Sequence, residues 1–481
     1  MTVRLEEDAF GAVEILEGRL WGAQTQRALA VFGASGPRLP VAVIRAFAAQ
    51  KAAAARANLA LGMLDAERAG LILAACERLG QGAFDDHFPL PVWQTGSGTQ
   101  TNMNVNEVLA NAANMAAGQG PGTRAPVHPN DHVNRSQSSN DSFPTVMQIA
   151  AVAEARGRLA PELDRMAVAL EERAAAFAGI PRLGRTHLND AVPVPLSQGF
   201  AASAAEMRRS ARRLSAALDE LLALPQGGTA AGSGLNAPEG FDRAFCAALS
   251  EATGEAFRPA AVKVEGMAGH DALLGLSAVC EALAVALTRL CNDVRHLAAG
   301  PHAGTGELSL PDDGLTSSIM PGKRNATLAE ALVQVCQHVA GCHETVSRAA
   351  ASGVWDLNVS KPVLIHALLG AMEALAQGME GFRLHCLAGI EPRRARLADN
   401  LARSMMAATA LTPRLGYDRV AGLIRRAEAQ GLTLRAACLA EGILGPEAFD
   451  RLVDPERMAR GGLPDPDPSA AGESDEDPEH P

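Results

Sequence analysis

Apolar residues recur at spacings of three and four along most of the chain, and that periodicity predicts helices rather than strands. Up to about residue 140 the helix-like stretches, Val41 to Leu61 and Leu64 to Leu79, alternate with connections rich in Gly, Pro and Asn, notably WQTGSGTQTN and VHPNDHVNRSQSSND. From about 143 to 390 the segments lengthen. Leu273, Leu276, Cys280, Leu283, Leu287, Leu290, Val294 and Leu297 form a sustained heptad pattern, and Leu328, Leu332, Val335, Val339, Cys342 and Val346 form a second. The first also carries Val279, Val285 and Ala286 on other faces, so burial nearly all round is expected. A helix of roughly 26 residues is about 40 Å long. Helices of that length need a large bundle, often completed by neighbouring subunits, so oligomerisation is the natural inference.

EPRRARL, after Gly389, marks a break, and the spacing beyond it predicts shorter helices in a small C-terminal domain. The expected division is therefore an N-terminal helical and loop domain over 1–140, a central helical bundle over 141–390, a small helical domain over 391–460 and a disordered acidic tail over 461–481. Composition agrees with an all-α fold, being 47% hydrophobic with only 4% aromatic residues and a single Tyr. The formal charge of −11 is concentrated in the last 21 residues, which hold seven acids and no Lys or Arg. The remainder, at about −4, carries no nucleic-acid footprint. Eight scattered cysteines without paired spacing fit a reducing compartment. The polar opening MTVRLEEDAFG lacks the features of a signal or transit peptide, and no uninterrupted apolar run approaches a membrane span, so a cytoplasmic protein is expected. Neither GxGxxG nor a P-loop occurs, and no nucleotide cofactor is indicated.

Three polar clusters lie far apart in sequence yet share a composition: Thr95 to Asn102, Ser136 to Asp141, and Thr316 to Asn325. Hydroxyls, amides and Gly-exposed backbone N–H groups suit carboxylate binding, because each supplies a hydrogen bond without demanding a buried counter-charge. Polar turns and helix caps use the same residues, and any one cluster alone leaves both readings open. His338, Cys336, Cys342 and His343 span several faces of one helix and lack the pairing of a closed zinc site, so no metal is expected. Trp93 and Trp355 read as packing or wall residues.

Taken together, LWGAQTQRAL, WQTGSGTQTNMNVNEVLAN, VHPNDHVNRSQSSNDSFPT, GRTHLNDAVPVPLSQ, GGTAAGSGLN and TSSIMPGKRNATLAEAL resemble the class II branch of the fumarase/aspartase superfamily over residues 3 to 460. The last stretch is similar to that superfamily's signature loop, GSSxMPGKxN. The resemblance implies a three-domain fold whose central long-helix bundle is shared in a homotetramer, cofactor-free hydration of fumarate to L-malate through an aci-carboxylate, and active sites built from three chains. It implies that Ser317 is the base removing the C3 proton of malate, that His187 serves the water or hydroxyl side, and that Glu330 assists the serine. Substrate-binding positions would be Ser97, Thr99, Ser138, Ser139, Asn140, Thr186, Ser318, Lys323 and Asn325. His128, Asn130 and Asp131 would form a second, non-catalytic dicarboxylate site.

The residue types suit that chemistry, since stabilising the new charge of the dianion is the costly part and an ammonium, an amide and loop N–H groups can do it. The sequence departs from the family pattern at Thr316 (usually Gly), Ala326 (usually Pro), His302-Ala303 (usually Arg-Cys) and in WDLNVSKP (nearer FELNVFKP). Thr316 matters most, because a β-branched residue resists the φ > 0 conformations that Gly permits: threonine is strained if the closed loop needs φ > 0 here and costs nothing if the position is extended, so a difference in loop mobility or turnover is expected. The nearest rival activity is aspartate ammonia-lyase, and a non-catalytic paralogue is a rival of another class. WQTGSGTQ and SQSSND are closer to fumarases than to the EGGAGTS and STND patterns of aspartases. Joint retention of Ser317, His187, Lys323 and Asn325 argues against a scaffold, since packing alone would not demand that set.

Overall fold

A computed structural model describes residues 2–462. The acidic tail assigned to 461–481 lies, from residue 463, outside the described residues. In chain order the main elements are β1 (Val3–Asp8), β2 (Gly11–Leu16), α1 (Ala23–Phe32), α2 (Val41–Ala60), α3 (Ala66–Gly80), α4 (Thr99–Ala116), α5 (Ser139–Glu154), α6 (Ala160–Ala176), β3 (Pro181–Thr186), β4 (Asn189–Pro195), α7 (Ser197–Glu220), α8 (Phe241–Thr253), α9 (Lys263–Ala268), α10 (Asp271–Leu297), α11 (Thr327–Ala350) and α12 (Lys361–His385). Six short helices follow, α13 (Arg394–Arg403), α14 (Thr412–Leu415), α15 (Tyr417–Gln430), α16 (Leu434–Ala440), α17 (Pro446–Leu452) and α18 (Pro455–Arg460). The fold is all-α, with two antiparallel hairpins and two two-residue ladders as its only sheets among the described residues.

The chain forms two compact units, each drawn from three separate segments. The first comprises Met1–Asp164, Arg208–Thr288 and Ala331–Glu380. At its centre α2 packs on α3, α5 and α8. Its alanines at 46, 48, 53, 54, 55 and 57 are buried, so neighbouring backbones approach closely and α2 is enclosed on several sides. Phe47 meets Phe143 of α5 edge-on at 5.9 Å. Across the unit, Glu107 of α4 accepts from the backbone N–H groups of Gly22 (2.9 Å), Gln24 (2.8 Å) and Thr25 (3.1 Å), so a carboxylate from another helix caps α1, whose N-cap glycine has no side chain to do so.

The second unit comprises Arg165–Met207, Arg289–Glu330 and Gly381–Pro481. Its short helices enclose a small core of Ala408, Leu411, Leu423, Ala427 and Cys438, all fully buried. The β3–β4 hairpin is backed by α13 and α18. Periodicity alone predicted helices throughout this region, and the hairpin is a departure from that expectation.

The heptad residues of α10 from Leu273 to Val294 are buried, but Val285 is 62% exposed, so burial all round is not met within one chain. The seam covers one face and leaves the other open. By length and hydropathy alone, α10 and the segment Lys361–Gly389 could each cross a membrane, which the expectation of no span-like run did not anticipate. Core helices of long bundles have the same composition. Trp93 (57% exposed) and Trp355 (91%) are largely open within the chain, so of their reading as packing or wall residues the packing half is not met here. All eight cysteines are buried, and burial pushes the thiols of Cys76, Cys246, Cys280 and Cys386 up to about 12.

Candidate active site

In the first unit two helix N-termini meet. Gly98 is the N-cap of α4 with φ of +76°, and a Cβ there would stand 2.2 Å from Cδ2 of the buried Phe143. A Cβ on Gly96 would lie 1.3 Å from the Val359 carbonyl oxygen. Only glycine fits at both places, which brings the Thr95–Thr99 turn tight against the body. Ser97 is buried and its hydroxyl lies 2.8 Å from that of Thr99.

Ser138 caps α5 through a capping box: its Oγ accepts from Asn140 N at 3.2 Å, and Asp141 Oδ1 accepts from Ser138 N at 2.9 Å. Asn102 Nδ2 of α4 donates to Ser139 Oγ of α5 at 3.1 Å, joining the two termini. Ser97, Thr99, Ser138, Ser139 and Asn140 are therefore gathered at two helix starts, whose positive dipole ends favour an anion. The first turn of α4 holds no acid, and that of α5 only the fully buried Asp141. The other Asp141 oxygen accepts from Gln226 Nε2 (3.0 Å), Gly227 N (2.9 Å) and Thr229 N (3.0 Å), so GGTAAGSGLN is tied to the same turn. Burial raises Asp141 to about 6 against these donors, which lower it. Asn140 Nδ2 adds a bond to Ala230 O at 2.9 Å.

His128, Asn130 and Asp131 also stand together. The His128 ring nitrogen Nδ1 accepts from Asn130 N and Asp131 N, both at 3.2 Å, and caps the π-helical turn Pro129–Val133. An Nδ1 engaged as acceptor carries no proton, so its 3.4 Å approach to Asp131 Oδ2 is not an ion pair. Burial, ahead of the opposing Asp131 charge, lowers the His128 pKa.

In the second unit Thr186 ends β3, and His187 and Leu188 are the whole connection to β4, since Thr186 pairs with Asn189. Their φ values are +56° and +62°, the geometry of a type I′ hairpin turn made without Asn or Gly. His187 is thus held, exposed, at the tip of a strained turn, which is a common setting for functional side chains. Arg185 anchors the hairpin through the fully buried Glu307 at 2.6 Å.

Ser317, Ser318, Lys323 and Asn325 lie on the exposed loop before α11, and Glu330 lies in that helix's first turn. Ser317 Oγ accepts from Ile319 N (3.4 Å) and Met320 N (3.2 Å), while Ser317 N donates to Lys323 O at 3.4 Å. Two backbone donors aimed at one hydroxyl oxygen favour its anionic form. Thr316 is absent from the described residues with positive φ, and its hydroxyl donates to Lys323 O at 3.3 Å. Positive-φ strain is therefore not present at Thr316 in this conformation, and its hydroxyl helps to close the loop. Lys323, Asn325 and Glu330 line one cavity of about 730 Å³ with His296 and Arg393. No three His, Cys, Asp or Glu side chains among the described residues group as metal ligands, and His343 instead meets Ser277 at 2.9 Å.

Residues 11–341 match the family described as lyase, and residues 408–460 match the fumarase C C-terminus. Proteins named fumarate hydratase class II from Brucella suis and Pseudomonas aeruginosa are 47% and 48% identical, each aligned over 95% of this chain and 98% and 99% of their own lengths. The chain belongs to the class II fumarate hydratase family. A class II fumarase structure from Schistosoma mansoni superposes with a TM-score of 0.92 at 37% identity, covering 95% of this chain and 99% of that one. A fumarate lyase:delta crystallin from Brucella melitensis, bound to cobalt, gives 0.92 at 36% identity, covering 95% of this chain and all of that one. Reasoning from motifs alone named Asp141 only as the end of a polar cluster and missed Lys51 behind the same turn. The S-x-x-D pattern announces the first, whereas a lone Lys in an Ala-rich helix gives no signal.

Proposed function

We propose that the chain hydrates fumarate reversibly to L-malate, with Ser317 as the base at C3 and His187 on the side of the C2 hydroxyl. The observation that carries this reading is the Ser317 oxygen facing two backbone N–H groups, which supports access to the alkoxide, the form of serine that can take a proton. Removing the C3 proton places new charge on the adjacent carboxylate. The Lys323 ammonium and Asn325 amide stabilise that dianion, one preorganised donor being worth about 3 kcal/mol. His187 with Thr186 then aids departure of the hydroxyl as water from the opposite face, while Ser97, Thr99, Ser138, Ser139, Asn140 and Ser318 bind the carboxylates and Glu330 assists the base. The chemistry asks for no metal or nucleotide, since side chains and backbone supply base, donor and acid. His128, Asn130 and Asp131 form the second dicarboxylate site.

The three sets of residues act together in a homotetramer, in which several chains contribute to each active site. The open face of α10, with Val285 exposed, supports shared helices in such an assembly. A cytoplasmic enzyme fits the buried thiols. The test is fumarate absorbance from L-malate beside the same assay with L-aspartate, for wild type and Ser317→Ala. L-Malate turnover that Ser317→Ala abolishes while succinate still binds agrees with the reading. Turnover of L-aspartate alone, or a fully active Ser317→Ala, refutes it, and a monomer in light scattering refutes the shared site.

A further inference from the structure

Behind the Ser138–Asn140 turn lies a charged group that the proposed chemistry does not use. Lys51, on α2, is fully buried. Its Nζ donates to Asn102 Oδ1 (2.8 Å), Gln137 Oε1 (2.9 Å) and Asn134 Oδ1 (3.2 Å), and among the described residues no carboxylate comes within ion-pair distance. Burial draws its pKa down to about 7 while the Asp141 charge pushes it up, and three oxygens around Nζ match the three donors of the ammonium form.

An ammonium has no acceptor, so only the oxygen of an amide can face it. Each amide held this way must present its NH₂ group elsewhere. Gln137 does so to Val133 O (3.1 Å) and Arg135 O (2.9 Å), and Asn102 does so to Ser139 Oγ (3.1 Å) and Asn134 Oδ1 (3.2 Å). Ser139 Oγ is thereby an acceptor from the protein. Its one proton, which no described residue accepts, is left for a ligand that can only accept, such as a carboxylate.

We propose that Lys51 is a positioning residue: by holding the Asn102 oxygen it locks the Asn102 amide onto Ser139 Oγ and keeps the Ser139 hydroxyl proton available to the bound dicarboxylate. This rests on the reading of Ser139 as a substrate-binding group. Asn102→Asp keeps the shape, gives Lys51 a carboxylate partner and turns the group facing Ser139 from donor to acceptor. The Ser139 proton then turns inward, and its lone pairs face the ligand.

The experiment measures succinate Kd and L-malate KM and kcat for Lys51→Met, Asn102→Asp, Ser139→Ala and the double variant Lys51→Met/Ser139→Ala. Asn102→Asp should assemble like wild type yet raise succinate Kd and KM roughly tenfold or more, with a smaller effect on kcat. Lys51→Met should weaken succinate binding in the wild-type background and add almost nothing in the Ser139→Ala background. A merely structural lysine would have the same fold-effect in both. Wild-type constants in Asn102→Asp, equal effects of Lys51→Met in both backgrounds, or loss of assembly in both Lys51→Met and Asn102→Asp would overturn the proposal. Unchanged succinate affinity in Ser139→Ala would overturn it together with the binding role of Ser139, whereas absent L-malate turnover in wild type would refute the hydratase reading separately.

Discussion

Replacing Asp141 should separate the turn's architecture from its chemistry. The side chain is fully buried and accepts from Ser138 N, Gln226 Nε2, Gly227 N and Thr229 N at 2.9 to 3.0 Å. Asp141→Ala leaves the three backbone donors unsatisfied, each costing about 1–3 kcal/mol, while Gln226 keeps a 3.3 Å contact with Ser142. Releasing a buried charge offsets part of that cost, so a loss of about 3–5 kcal/mol is expected. Asp141→Asn can turn its oxygen toward Gln226, Gly227 and Thr229, which loses the cap bond from Ser138 N and the long 3.4 Å donation from Ser142 Oγ. Its cost should be about 1–2 kcal/mol. Chemical denaturation followed by circular dichroism, at one fixed protein concentration because assembly shifts the apparent stability, reads both values. An alanine variant within about 1 kcal/mol of wild type, or an asparagine variant no better than alanine, would refute the reasoning.

Gly98→Ala should cost about 3 kcal/mol or more and weaken succinate binding, because the new methyl meets a Phe143 ring already packed on Phe47; an unchanged melting temperature would contradict this. The His128 NMR titration should have a midpoint below about 6.5. A folded pKa below the unfolded one means that its stabilising contribution is present above the ordinary histidine range and is lost as pH falls through the folded value, when Nδ1 protonates and releases the N–H groups of Asn130 and Asp131. A midpoint above that value would refute the neutral cap. Leu188→Gly should raise stability by about 1 kcal/mol, since the residue is 80% exposed at φ +62°, and a lower denaturation midpoint would show that its side chain has partners.

The long helices were legible because apolar spacings of three and four bury one face: the stretch read as Val41 to Leu61 forms α2 over Val41–Ala60, and the heptad from Leu273 forms α10. The first two polar clusters were legible as turns at helix starts, because Ser, Thr and Asn there serve caps and ligands alike. The β3–β4 hairpin was not, since GRTHLNDAVPVP has too short an alternation, and its turn residues His187 and Leu188 lack the Asn-Gly signal. Glu107 shows why motifs mislead about role: within NMNVNEVLAN it holds the start of LWGAQTQRAL, so two of the most family-like stretches meet for structural reasons. Lys51 stayed hidden because its importance arises from amides more than fifty positions away in sequence.

The eight buried thiols turn the chain into its own opening gauge. Alkylating reagents attack thiolates, and burial puts all eight sulfurs out of reach and raises thiols such as those of Cys76 and Cys246, so modification in the native state must wait for the protein to breathe. Because the cysteines are spread from α3 to α16, the order in which they become labelled would trace which parts of the molecule loosen first, without any introduced probe.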